Sequence, residues 1–98
     1  MSTQAHVAAG GRFQTAASLT HESAKAALDA GLSRIEAGAT EVDCAPLTQF
    51  DSSALAVLLA WHCAATARGA VLDVVNLPSG LVSLARAYGV DTLLSFRH

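Results

Sequence analysis

Asp51-Ser52-Ser53 is the place in this 98-residue chain where residue types and spacing best suit chemistry. A carboxylate and two hydroxyls stand in consecutive positions, directly before a run of helix formers from Ala54 to Ala67. Asp and Ser are favoured N-cap residues, because a side-chain oxygen there accepts from a backbone N–H that the helix leaves unpaired. The same helix end carries free N–H groups and a partial positive charge. A hydroxyl there can cap the helix, meet an acceptor on a partner or take a phosphate. A phosphate on Ser52 would add about −1.5 to −2 charges beside Asp51 and disrupt an interface by repulsion and desolvation. Plain capping and partner contact are both open from these residues alone.

Other reactive side chains make poorer constellations. His62-Cys63 with Cys44 has the residue types of a metal site or a Cys/His pair, but adjacent helix residues point about 100° apart and do not converge. Of the remaining histidines, His6 and His98 sit near the termini and His21 opens a helix remote in sequence. No G-x-S-x-G elbow is present, and no glycine-rich loop precedes a helix as a phosphate cradle. Asp43 and Asp51 are too few for a divalent-cation cage. Asp73, inside an apolar strand, fits a strand end or an edge. No catalytic residue, metal or cofactor is therefore expected. Cys44 and Cys63 read as small buried hydrophobes, reduced rather than disulfide-bonded.

Composition bounds the partners. Apolar residues make up 52% of the chain and charged residues 14%, with a formal charge of −2. That leaves no basic stripe for nucleic acid and no cationic helix for anionic lipid. The longest apolar run, Ala54 to Trp61, is far short of the roughly 20 residues that span a bilayer, so no direct membrane insertion is expected. The start, Met1 to His6, lacks the cationic and apolar segments of a signal peptide, which points to the cytoplasm. Residues 1–98 make one domain.

The elements that must position the turn follow from periodicity. Gln4 to Ala8 and Arg12 to Ala16 are short strand candidates around Gly10-Gly11, as in an edge hairpin. A helix follows Thr20 to Ser23, with Leu28, Leu32 and Ile35 at helical spacing and Gly38 as its stop. Thr40 to Ala45 alternates like a strand that Pro46 ends, and 47–50 reads as a loop. Arg68-Gly69 closes the long helix. Val71 to Val75 is an aliphatic run typical of a strand covered on both faces. Asn76 to Ser79 turns into a helix from about Gly80 to Tyr88, and Thr92 to Phe96 is a last short strand or helical turn. The alternation predicts an α/β domain: a mixed, mainly parallel sheet of about four to five strands with helices packed on it.

The long helix is apolar all round. Placing Leu55, Leu58, Leu59 and His62 on the sheet leaves Ser53, Ala56, Ala60, Ala64 and Ala67 as a flat, uncharged outer stripe, with Trp61 at its flank as an anchor. Rotating the helix by one position puts Trp61 in the core instead. Alanine is also simply the commonest residue of the chain. A stripe of this kind is expected to be covered, by a partner or by a second copy as a homodimer.

Phe50-Asp51-Ser52-Ser53-Ala54-Leu55-Ala56-Val57-Leu58-Leu59 resembles the signature of STAS domains. Arg68-Gly69, Asn76-Leu77-Pro78 and Leu84-Ala85-Arg86-Ala87-Tyr88-Gly89-Val90 extend the likeness over about the last two-thirds of the chain. The Leu-Ala-Arg-Ala-Tyr-Gly-Val ending is most similar to the Mla-type subunit, which docks on the ATPase of an ABC phospholipid transporter. The resemblance implies a STAS-like fold and a non-enzymatic interaction subunit, cytoplasmic and peripheral to the inner membrane through that ATPase. Its partner-binding residues would be Asp51, Ser52, Ser53, Ala56, Ala60, Trp61 and Ala64. It also implies an alternative, an anti-sigma-factor antagonist switched by phosphorylation of Ser52. One departure stands out: the residue after the two serines is usually glycine and here is Ala54, whose methyl would narrow a partner's approach.

Overall fold

The structure, a computed structural model, describes residues 11–97. The strand candidate at 4–8 and the hairpin it would complete lie outside the described residues. The elements run β1 (Arg12–Gln14), β2 (Ser18–Leu19), α1 (Ala24–Glu36), β3 (Glu41–Asp43), β4 (Gln49–Phe50), α2 (Ser52–Ala67), β5 (Asp73–Val75), α3 (Ser79–Ala87) and β6 (Ser95–Arg97). Strands β1-β3-β5-β6 form one parallel sheet in that order, and β2 pairs with β4 in a second, two-stranded parallel ladder. The mainly parallel α/β architecture agrees with the sequence. The 47–50 loop is the exception, since its last two residues form β4.

Register explains where the core sits. Phe13, Val42 and Val74 lie in line across three strands and are all buried. Their neighbours Arg12, Glu41 and Asp73 point to the other face and are exposed or half-buried, as strand alternation demands. Among the described residues the other face carries most of the polar side chains. This corrects the reading of 71–75 as covered on both faces: Val71 is 61% exposed, and Asp73, a strand-start residue, lies on that more polar face.

The helices bury their faces in a single cluster. In α1, Ile35 is buried while Leu28 and Leu32 are half-buried; the deepest contact is made instead by Gly31. The ring of Trp61 lies against it, so a methyl there would overlap the indole. Trp61 Nε1 donates to Leu28 O at 3.1 Å, and its ring meets Phe13 edge to face at 5.3 Å. Gly38, at φ 107°, ends α1 as the sequence indicates, its N–H and that of Ala39 returning to Ile35 O and Arg34 O; a side chain at that φ would be strained.

Candidate functional site

Each helix starts after a strand of a parallel sheet, so all three N-termini emerge at the carboxyl edge of the strands, the edge where open α/β sheets place their sites. The short β2–β4 ladder pairs Leu19 with Phe50, which brings the chain entering α1 beside the chain entering α2. Asp51 joins them. Its Oδ1 accepts from Ser53 N at 2.8 Å, and its Oδ2 accepts from His21 N at 3.1 Å, with His21 Nδ1 at 3.4 Å. The His21 amide first, and the Ser53 amide next, hold the Asp51 carboxyl below its ordinary value. On the opposite flank, the Phe50 ring would lie only 3.0 Å from a Cβ on Gly80 of α3, so this glycine lets the ring close against the first turn of that helix.

Asp51 is thus the N-cap of α2, in extended conformation. Ser52 is the first helical residue and is exposed, and its hydroxyl makes no hydrogen bond among the described residues. Ser53 is half-buried. Ala54 is fully buried. The expected narrowing of a partner's approach by its methyl is corrected, because that methyl points into the core, away from the surface.

The rotation of α2 also differs from the first assignment. Leu55 and Leu58 are buried as expected, but Val57 and Trp61 are buried with them. Trp61, at 2% exposure, is a core residue and no surface anchor. The outer line is Ser52, Ala56 and Cys63, continuing to Thr66 and Ala67, with Leu59, Ala60 and Ala64 half-buried along it. The structure therefore brings Ser52, Ser53 and Ala56 together at the surface, leaves Ala60 and Ala64 partly covered, and removes Trp61. Cys63 is exposed rather than buried; Cys44 is buried, and burial pushes its thiol up to about 12, with the Asp43 charge adding. These two cysteines point to opposite environments. No group of three potential metal ligands forms among the described residues.

A second polar node at the same edge escaped the sequence reading. Asp43, at the end of β3 and 8% exposed, accepts from Asn76 Nδ2 and Ala45 N, each at 2.9 Å. Its other oxygen accepts from Arg12 Nη2 at 3.1 Å and Gln14 Nε2 at 3.5 Å. Asn76 sits at φ 58°, a region Asn tolerates better than most residues. The Asn76 amide, then the Ala45 amide, hold the Asp43 carboxyl below its ordinary value against the opposing effect of burial. The carboxylate laces β1, β3 and the end of β5 together behind the Ser52 turn. Only the Asn76-Leu77-Pro78 turn hinted at it, because its side-chain partners are 29 to 33 residues away in sequence.

No helix among the described residues is long and apolar enough to cross a membrane. No curated protein and no solved structure matches the chain significantly. A family model described as "Mlab, STAS domain" matches residues 3–95, nearly the whole chain. STAS domains are generally non-catalytic modules that mediate protein–protein interactions. With its parallel sheet, its helices and its exposed Ser52 turn, the chain belongs to the STAS-domain family.

Proposed function

We propose that this domain is an interaction subunit that docks through the Ser52 turn and the outer line of α2 on the cytosolic ATPase of an ABC transporter for phospholipids. The observation that carries the reading is a division of labour in the turn. Asp51 does the capping, while the Ser52 hydroxyl stands exposed with no structural bond to make among the described residues. Capping alone therefore does not account for Ser52. Behind it, Ala56 and Cys63 continue a surface without charge, on which small side chains let a partner approach closely. Asp51 and Ser53 contribute by holding the turn. The domain would sit at the inner membrane through the ATPase.

Co-purification with a candidate ATPase tests this. Ser52→Arg is expected to abolish the complex and Ser52→Thr to keep it. Unchanged binding by Ser52→Arg would sink the contact role. A free, exposed hydroxyl also suits a kinase, which supports the second reading, an anti-sigma-factor antagonist phosphorylated at Ser52. Intact-mass measurement after incubation with such a kinase and ATP separates the two, since only the switch gains a phosphate. The uncharged line along α2 favours constitutive docking.

A further inference from the structure

A groove of about 580 Å³ runs between β1 and α1. This size falls within the range of small-molecule sites. One wall is a single face of α1, from its N-cap Ser23 through Ala26, Ala27 and Ala30 to Arg34, a length of about 16 Å at about 1.5 Å per residue. The floor is made by Phe13 and Trp61. One feature of this apolar trough calls for a ligand.

That feature is Arg34, the only charged residue among the described residues that line the groove, in a chain whose net charge is −2. Its guanidinium donates to Arg12 O at 3.3 Å and lies 5.8 Å from the centre of the Phe13 ring. Arg12 pairs with Glu41 and Asp43, and Lys25 with Asp29, but Arg34 makes no ion pair among the described residues. A cation with no ion pair among the described residues, at one end of an apolar trough, selects an anionic head on an apolar body.

We propose that this groove binds a small amphiphilic carboxylate. Its apolar body lies along Ala26, Ala27 and Ala30 over the Phe13–Trp61 pair, and its head meets Arg34. The site is independent of docking through Ser52.

The chain holds one tryptophan, so Trp61 emission reports the groove directly. The full chain is titrated with sodium decanoate below its micellar concentration, with decanol as the neutral control. A saturable change with decanoate, at least tenfold weaker with decanol, is expected. Arg34→Gln should weaken decanoate about tenfold, the equivalent of one charge-assisted bond. Ala30→Phe, at an exposed helix position, should abolish binding while the melting midpoint is retained. Absence of saturation, equal binding of decanol, or indifference to both substitutions would overturn the proposal. So would nuclear Overhauser contacts between the Trp61 ring and residues 1–10 in the ligand-free protein, because the chain would then fill its own groove.

Discussion

Replacing Gly31 by alanine should destabilise this domain, against the ordinary rule for a helix interior. At an exposed helical site the change gains about 1 kcal/mol, because glycine is the poorer helix former. At Gly31 the new methyl would lie within 3.0 Å of three indole atoms of Trp61: Cε2, Nε1 and Cζ2. Either α1 moves off α2 or the indole turns away. Overpacking of this kind costs about 1–3 kcal/mol, and loss of the Trp61 Nε1 to Leu28 O bond about 1 kcal/mol more. The net expectation is a loss of about 1–3 kcal/mol. For a domain of this size each kcal/mol moves the midpoint by about 4–8 °C, so thermal melts followed by circular dichroism resolve it readily. Urea titration with Trp61 emission gives the free energy itself. In a Trp61→Leu background the overlap is gone, and the same Gly31→Ala change should become neutral or stabilising, giving a coupling of about 1–4 kcal/mol. A rise in the midpoint of the single variant would refute the packing of α1 on α2 described above.

The Asp43 node gives stability a definite pH dependence. Its folded carboxyl is held below 3.8, so its contribution is fully present above that value and lost as pH falls through the lower folded one. Asp43→Ala should cost about 1–3 kcal/mol at pH 7, by removing the charge-assisted hydrogen bonds that Asn76, Ala45 and Arg12 donate to it, and should flatten the acid decline of urea midpoints between pH 7 and pH 3. A variant as acid-sensitive as the parent would contradict it. Alkylation with iodoacetamide at pH 8 should add one group to the native protein, at Cys63, because the Cys44 thiol is buried and pushed up to about 12. The bound ATPase should protect Cys63; two adducts on the folded chain would be the contrary result.

The ends of the elements were legible because they rest on local chemistry. Asp51 caps from within one turn, Pro46 cannot donate to a ladder, and Gly38 takes a backbone conformation that other residues avoid. The rotation of α2 was not legible, because a helix apolar on every side has no periodicity to orient it. What fixes it is the glycine gap at Gly31, 30 residues before Trp61 and on another helix. In sequence that glycine reads only as a weak helical residue. The ladder of β2 with β4 is two residues on each side, too short for any alternation to announce it. The Asp43 node depends on strands that meet only after folding.

That missed ladder bears most directly on the site. Without β2 beside β4, Asp51 would cap α2 alone; with it, the same carboxylate also holds the His21 amide at the entrance to α1. Phe50, one residue earlier, is closed over Gly80 at the start of α3. The Ser52 turn is therefore tied to all three helices before any partner arrives. Docking on a surface already ordered avoids the loss of conformational freedom that weakens flexible binders. It also means that a change at His21 or Gly80, neither of which need touch a partner, should alter the presentation of Ser52. Gly80→Ala is the sharper case, because a Cβ there would come within 3.0–3.3 Å of the Phe50 ring. The ring must then give by a few tenths of an ångström; if that shift reaches the neighbouring Asp51, binding to the ATPase should weaken while the core around Trp61 and its emission stay as they are.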